Sequence, residues 1–354
     1  MKHPKQRGLS LIELLVALSI GAFLIIGAVT VQSQTRKTFT VNENQARLQE
    51  TARYALSVLE PDIQLASLYG YSNNPWGIKM LDEDGNTVYA KNMQSGQPAI
   101  AGVSAVYDAC GTNSVTNVGW PIEAEDGEWT KGCAPKGNGQ IPGTDTLTVR
   151  HSGTAKVDGV DGRMQLYSNR LALDDSRIIF NGEPPAPHVI EDGVSEIRDY
   201  FMRQYYVAQD SEGRPNLPAL RLKQISFDEE DETPEWDDQE VVRGVEDIQI
   251  ELGVDTGDPD LNGVVRKTPE GVAIDVNGNV GRWVVPGDEI LKSAQVVAVR
   301  IWIRVRAEEA EQGFLDQRVY NYASVKDFVP ADPFRRALVS RTIFLRNTRI
   351  YPQS

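Results

Sequence analysis

The first residues of the chain divide into a short polar segment and a long apolar one. Residues 1–8 read MKHPKQRG, and residues 9–31 read LSLIELLVALSIGAFLIIGAVTV, with Glu13 as the only ionisable side chain in the apolar segment. A helix needs about 20 apolar residues to cross a bilayer, whereas the apolar core of a cleaved secretory signal has only about 7–15. The pattern therefore predicts a retained transmembrane helix over residues 9–31.

A helical pattern continues beyond the apolar segment. The apolar stripe is spaced by four, three, four and four residues, so it lies on one side of a helix; it comprises Leu48, Ala52, Ala55, Leu59 and Ile63. We expect an amphipathic helix over residues 32–70 that packs on a sheet and ends near Gly70. Pro61 removes an amide donor and crowds the preceding turn, which predicts a kink or restart near Glu60.

After Tyr71 the pattern becomes that of β-strands. In residues 296–306 the apolar Val299, Ile301, Ile303 and Val305 alternate with polar or aromatic residues, which predicts a strand with one buried face. The same alternation over residues 247–252 places Ile248, Ile250 and Leu252 inward and Asp247, Gln249 and Glu251 outward. Weaker strands are predicted at residues 146–150, 177–180, 205–208, 220–225 and 341–346. The fold class expected from this order is α+β, with a long helix packed on an antiparallel sheet.

Composition and charge exclude several classes of function. The 354 residues carry a formal net charge of −14, which disfavours a broad nucleic-acid-binding face. Two Cys and three His are too few for a zinc-ribbon array or an iron–sulfur cluster. His151 and His188 have no recognisable nucleophile or metalloprotease motif around them, so we expect no catalytic residues and no enzyme.

Charges around the apolar segment indicate its orientation. Lys2, Lys5 and Arg7 precede it and favour a cytoplasmic N-terminus, although Arg36 and Lys37 follow it. A carboxylate near the centre of a bilayer costs about 2.5–3.5 kcal/mol on insertion scales. Glu13 therefore needs a partner, or it remains hydrated near the cytoplasmic headgroups.

The order of residues around Glu13 resembles a known processing signal. A basic leader, then Gly8, Leu9 and Glu13 at the start of an apolar helix, is similar to the class III signal of type IV prepilins and type II secretion pseudopilins. This resemblance implies that a prepilin peptidase cuts between Gly8 and Leu9 and methylates the new amine. It also implies that Glu13 pairs with the N-terminal amine of a neighbouring subunit.

Four internal blocks narrow the resemblance to PilW-type minor pilins. They are GTDTLTVRHSG at residues 143–153, YYVAQDSEGRPNLPALRL at 205–222, VVRGVEDIQIELGVD at 241–255 and VVAVRIWIRVR at 296–306. The implied organisation is a leader at 1–8, a transmembrane helix at 9–31, a periplasmic helix at 32–70, an unmatched insertion at 71–142 and a β-rich head at 143–354.

The resemblance also implies a function and its partners. The expected protein is a non-enzymatic subunit that primes a type IV pilus and joins its tip region. The implied partners are the prepilin peptidase, other minor pilins, the major pilin, the inner-membrane assembly platform and a PilY-type tip adhesin, and the implied location is the inner membrane and then the pilus. The alternatives are a J-type pseudopilin of type II secretion, a membrane-anchored periplasmic enzyme or binding module, and a DNA-capture subunit using Arg335, Arg336, Arg341, Arg346 and Arg349.

Two further groups of residues suggest local chemistry. Cys110 and Cys133 enclose 22 residues, and in a periplasmic head a disulfide between them would staple this loop; a redox or metal pair is disfavoured by the absence of C-x-x-C spacing.

Asp258, Asp260 and Asn262, followed by Gly263, reproduce the first half of a calcium loop. Pro269 stands where the bidentate Glu of that loop belongs, so an acidic turn is the favoured interpretation and calcium the alternative. No other cofactor is expected. The acidic residues 228–240 are interpreted as a solvated loop.

Overall fold

The computed structural model describes residues 10–71, 74–93, 97–159, 163–171, 177–180, 190–228, 233–257, 278–292 and 294–348. Its one long helix, α1, spans Leu11–Leu65. The strands are β1 (Lys79–Leu81), β2 (Thr87–Tyr89), β3 (Ile122–Glu125), β4 (Thr146–Ser152), β5 (Gln165–Asn169), β6 (Ile178–Phe180), β7 (Ser195–Ala208), β8 (Ala219–Asp228), β9 (Thr233–Arg243), β10 (Val245–Asp255), β11 (Arg282–Val284), β12 (Gln295–Arg306), β13 (Tyr320–Tyr322), β14 (Val325–Phe328) and β15 (Arg336–Phe344).

The described strands form two main sheets and a hairpin. The larger sheet has the order β2-β1-β6-β5-β7-β4-β3, and β8 and β9 extend it from the second half of the long strand β7. The smaller sheet, β11-β10-β12-β15, is antiparallel throughout. The pairing of β1 with β6 is parallel, so the larger sheet is mixed rather than purely antiparallel. The α+β fold class is confirmed.

Helix α1 packs its second half on both sheets. The predicted stripe Leu48, Ala52, Ala55, Leu59 and Ile63 is buried in one core with the predicted inward residues of β10 and β12. A second core lies between the large sheet and the segment that follows α1, and includes Tyr69, Tyr107 and Met202. Residues 71–142 therefore contribute three strands and part of a core to the head.

The end of α1 differs from the expectation. The helix runs through Pro61 without a break and stops at Leu65. Pro61 is exposed, while Leu59 and Ile63 on either side of it are fully buried, so packing holds the helical backbone around the proline. The chain turns at Ser67, whose φ of 64° is left-handed, three residues before Gly70.

Two predictions about polar residues are wrong, because in each case another element of the fold covers the polar side chains and supplies their hydrogen-bond or charge partners. Asp247 and Gln249 were expected to face solvent, but both are buried because Tyr322 and Ser324 of the β13–β14 hairpin cover them and donate hydrogen bonds to their side chains. Residues 233–240 of the acidic run belong to β9 rather than to a loop, residues 229–232 lie outside the described residues, and Asp238 is buried between basic side chains.

The strands predicted at residues 146–150, 177–180 and 220–225 agree with β4, β6 and β8 to within three residues, whereas two other predicted strands differ more from the structure. The strand predicted at residues 341–346 lies earlier, at Arg336–Phe344, and the strand at 205–208 begins ten residues earlier, at Ser195.

Candidate assembly interface

The first half of α1 is an uncovered apolar rod. The helix is long and apolar enough to cross a membrane, and none of its most apolar window is buried within the described residues. Leu11, Phe23 and Leu24 are 69–83% exposed, in contrast to the fully buried Leu59 of the same helix. At about 1.5 Å per residue, the helix extends roughly 80 Å. An apolar surface of this kind is stable only in lipid or against other apolar helices.

Glu13 closes the N-terminus of this rod. The Ser10 hydroxyl accepts a hydrogen bond from the Glu13 amide at 3.3 Å, and the Ser10 amide donates to Glu13 Oε2 at 2.9 Å. This reciprocal pair is a capping box, which satisfies amide donors at the start of a helix. One carboxylate oxygen is thus used within the helix, and Glu13 Oε1 accepts no hydrogen bond within the described part of the chain. That oxygen is available to a cation from another molecule.

A shallow apolar groove runs along the helix from Glu13. Its volume is 480 Å³, and it is lined by Glu13, Leu14, Ala17, Leu18, Gly21, Ala22 and Ile25. Small side chains at Ala17, Gly21 and Ala22 lower the helix surface between the larger Leu14, Leu18 and Ile25. Small residues of this kind allow close approach of two helices in a membrane.

A buried polar joint connects α1 to the large sheet. Asp62 is 4% exposed, and its carboxylate pairs with Arg203 Nη1 of β7 at 2.5 Å and accepts a hydrogen bond from the Tyr205 hydroxyl. His151 Nε2 of β4 lies 3.6 Å from Asp62 Oδ1. Burial opposes ionisation of Asp62, but the contact with His151 and the charge of Arg203 outweigh it and lower the pKa of this carboxyl.

A disulfide closes a loop within the insertion, and a second buried charge cluster holds the insertion on the sheet. Cys110 and Cys133 are bonded, with their Cα atoms 4.4 Å apart. The segment just after Cys133 docks on Asp238, which accepts hydrogen bonds from the Lys136 amide at 3.2 Å and from the Tyr206 hydroxyl at 2.8 Å. Arg221 Nε lies 2.8 Å from Asp238, and the pKa of Asp238 is lowered because these partners outweigh its burial.

The remaining predicted sites lie elsewhere or outside the described residues. Gly8 and Leu9 of the processing site, Asp258, Asp260 and Asn262 of the calcium loop, and His188 all fall outside them. In the part of the chain that is described, no group of three or more His, Cys, Asp or Glu could hold a metal ion. His151 is a buried residue of the joint and is 2% exposed.

The arginines of the DNA-capture alternative do not form one exposed basic face. Arg336 is 4% exposed and pairs with Glu246 and Asp332. Arg335 pairs with Glu311, and Arg341 with Glu60. Arg349 lies outside the described residues. Arg335, Arg336 and Arg341 each pair with a carboxylate and Arg336 is buried, so the described arginines do not form the continuous exposed basic face that binding to nucleic acid requires, although Arg346 is exposed.

Sequence reasoning missed Asp62 and Asp145. Asp62 lies seven residues after Ala55 and three after Leu59, so the helical period itself placed it on the buried side. Asp145 is 2% exposed, and its Oδ2 accepts a hydrogen bond from the Ile250 amide at 2.8 Å, which ties the start of β4 to β10. No local pattern distinguishes Asp145, because its partner is more than a hundred residues away.

Comparison with protein families gives two matches. Residues 204–347 match the family described as type IV pilus-assembly protein W, and residues 3–29 match the prokaryotic N-terminal methylation motif. The first match covers β8 to β15 and the last five residues of β7, and the second covers most of the leader and of the membrane half of α1. No curated protein and no solved structure matches the chain.

Proposed function

We propose that the chain is a PilW-type minor pilin, because residues 204–347 match the PilW family and residues 3–29 match the prepilin methylation motif, and that it primes the assembly of a type IV pilus and joins the tip region of the filament. The PilW family is a structural component of pilus assembly. To this structural role we add two features, priming of assembly and location at the tip of the filament.

The observation that carries the proposal is the division of one continuous helix into two environments. Residues 11–31 of α1 are uncovered and apolar, while residues 48–66 are locked into the head by a shared core and by Asp62. A rigid connection of this kind transmits lateral packing of the apolar half directly to the position of the head. The subunit can therefore move from lipid into a bundle of similar helices without refolding.

Glu13 sets the axial register in which the apolar helices of neighbouring subunits pack. Prepilin peptidase cleavage before Leu9 would create an amine four residues from Glu13 in each subunit. A carboxylate in an apolar environment is tolerated when a cation satisfies it, and Glu13 Oε1 is available for this contact. We assign the amine of the adjacent subunit as that cation, so that each incoming helix stops where the two charges meet.

The head would make the contacts that distinguish this subunit from others. Its proposed partners are other minor pilins, the major pilin, the inner-membrane assembly platform and a PilY-type tip adhesin, after processing by the prepilin peptidase. The N-terminus would remain cytoplasmic in the inner membrane, with the head periplasmic until the filament emerges. The match to pilus-assembly protein W favours this role over that of a J-type pseudopilin.

Mass spectrometry of the mature, membrane-bound protein tests the processing step. We expect an N-terminal methylated Leu9. An intact Met1, or cleavage after residue 31, would contradict the proposal, because the apolar rod would then be unprocessed or lost.

The Glu13→Ala variant tests the pairing step. We expect normal membrane insertion and cleavage but recovery in sheared pili reduced by about tenfold or more, since leaving one member of a buried ion pair alone costs about 3–5 kcal/mol. Glu43→Ala is the matched control, because Glu43 is an exposed residue of the same helix that pairs only with Arg47. Equal recovery of the two variants would remove the role assigned to Glu13.

A further inference from the structure

Strand β15 is a long free edge of the smaller sheet. It has nine residues and, among the strands of the described residues, pairs with β12 alone. The terminal strands β2, β3 and β11 have only three or four residues. The other long terminal strand, β9, carries Pro234 and several carboxylates, and its Trp236 donates a hydrogen bond to Val106. Proline and charge are common ways to prevent pairing at an edge, so β15 is the edge best suited to accept a strand.

The backbone of β15 presents unpaired groups at regular intervals. The Leu345 amide donates to the Val297 carbonyl at 2.9 Å, and the Ala307 amide donates to the Arg335 carbonyl at 2.8 Å. With the antiparallel register, these bonds direct the odd-numbered residues of β15 toward β12. The amides and carbonyls of Leu338, Ser340, Thr342 and Phe344 therefore point outward, and none of them has a hydrogen-bond partner within the described ranges.

Side chains on the two faces of β15 hold the edge in place and expose apolar surface beside it. Val339 and Ile343 pack into the core beneath α1. On the opposite face Phe344 is 59% exposed and Leu338 is 36% exposed, with Trp302 next to Ser340. In strand addition, backbone hydrogen bonds provide affinity and alternate side chains provide specificity. The edge offers both elements in a fixed geometry.

The charge beside the edge indicates the chemistry of the added segment. Residues 336–346 contain three Arg and no acidic residue, in a chain of net charge −14. Arg336 is buried, but Arg341 is exposed beside its contact with Glu60, and Arg346 is exposed. Opposite charges on neighbouring strands favour pairing, and like charges oppose it. A second copy using the same edge would bring these arginines together, which argues against a symmetric dimer at this site.

We propose that β15 is the docking edge for an extended segment of another subunit of the filament, in which carboxylates alternate with apolar residues. The segment would add to the smaller sheet as its fifth strand, with its carboxylates on the face of Arg341 and its apolar side chains on the opposite face, against Leu338 and Phe344. This inference rests on the proposed function only in taking the partner to be a pilus subunit.

Peptide binding to the full-length chain in detergent tests the edge directly. The probe is a short fluorescent peptide that alternates Glu or Thr with Val, and the comparison peptides replace Glu by Lys or carry N-methyl groups on alternate amides. We expect fluorescence anisotropy to show about three- to tenfold weaker binding of the Lys peptide and no binding when N-methylation removes the donors that face β15. The proposal would be wrong if the Lys peptide bound as tightly as the Glu peptide. It would also be wrong if both N-methylated peptides, the one that lacks the donors facing β15 and the one that lacks the donors facing away, bound as tightly as the unmethylated peptide.

Two substitutions locate the site on the chain. Ser340→Pro removes an outward amide and no bond to β12, so it should abolish peptide binding while the unfolding midpoint stays close to that of the unchanged chain. Arg341→Gln should weaken binding of the Glu peptide and strengthen binding of the Lys peptide, because the charge that attracts one and repels the other is removed. Its matched control is Arg47→Gln, which breaks a similar exposed pair with a glutamate of α1. Unchanged binding in both β15 variants would place the peptide elsewhere.

Sedimentation of the same samples tests whether a second copy of the chain occupies the β15 edge. We expect a monomer in detergent with or without Ser340→Pro. A dimer that disappears in Ser340→Pro would show that a second copy occupies the edge, and the proposal would then be wrong. Peptide binding does not depend on Glu13, so failure of the Glu13→Ala prediction and failure of this one are separate results.

Discussion

At the scale of single residues, the molecule depends on a few buried carboxylates that connect distant elements. Asp62 joins α1 to β7, Asp145 joins β4 to β10, and Asp238 holds the segment after the disulfide. A buried charge is stable only when its partners are well placed. These three residues therefore act as geometric constraints between parts of the chain that are far apart in sequence.

Asp62→Asn should loosen the joint between helix and head. The amide keeps the shape of the side chain but removes the negative charge that pairs with Arg203. Arg203 is partly exposed, so we expect a loss of about 1–3 kcal/mol in the free energy of unfolding at neutral pH. Urea unfolding in detergent, followed by Trp fluorescence, measures this change. Glu43→Gln, an exposed site on the same helix, should change it by less than about 0.5 kcal/mol, and equal effects would contradict the role of the joint.

Asp145 should make the head less stable as the pH rises. Its burial, despite the hydrogen bond from the Ile250 amide and with a smaller effect of nearby Asp126, raises its pKa to about 7. The folded chain therefore holds a proton that the unfolded chain has lost between about pH 4 and pH 7, so this residue's contribution is full below that window and falls through it. Asp145→Asn should remove about 1.4 kcal/mol per pH unit of this slope. Unfolding curves from pH 4 to pH 8 measure it, and an unchanged slope would exclude Asp145 as its source.

At the scale of elements, α1 combines two functions that a substitution can separate. Leu59 is fully buried in the core, whereas Leu18 is 62% exposed on the membrane half. Leu59→Ala should lower the free energy of unfolding of the head by about 2–5 kcal/mol. Leu18→Ala should leave head stability unchanged and reduce recovery in sheared pili, because it removes packing surface only between helices. Destabilisation of the head by Leu18→Ala would show that the apolar half also packs on the head.

The elements that could be predicted from the sequence are those with a strong local period. The stripe of α1 and the alternation in β10 and β12 reflect burial against one core, so their positions follow from spacing alone. The burial of Asp247 and Gln249 could not be predicted in this way, since the β13–β14 hairpin that covers them comes some seventy residues later. Likewise, β9 is rich in acidic residues because arginine and lysine of β8 neutralise Asp238, and this pairing has no local signature. Glu13 was identifiable because a lone charge in an apolar segment is anomalous, and the S-x-x-E spacing of Ser10 and Glu13 also carried the signature of the capping box, which sequence reasoning missed.

At the scale of the whole molecule, the proposed order of events is folding of the head, cleavage of the leader and then assembly. The Cys110–Cys133 disulfide and both cores lie in the head, far along the chain from Gly8. Blocking cleavage with Gly8→Val should therefore leave a membrane-bound protein that retains the leader and whose head still forms the disulfide, but that is absent from sheared pili because Leu9 has no free amine to offer a neighbouring Glu13. Intact mass, membrane fractionation and a thiol-labelling gel shift measure the three properties. Recovery of this variant in pili at the level of the unchanged chain would mean that the apolar helix and the head suffice for incorporation, and that the new amine does not set the register.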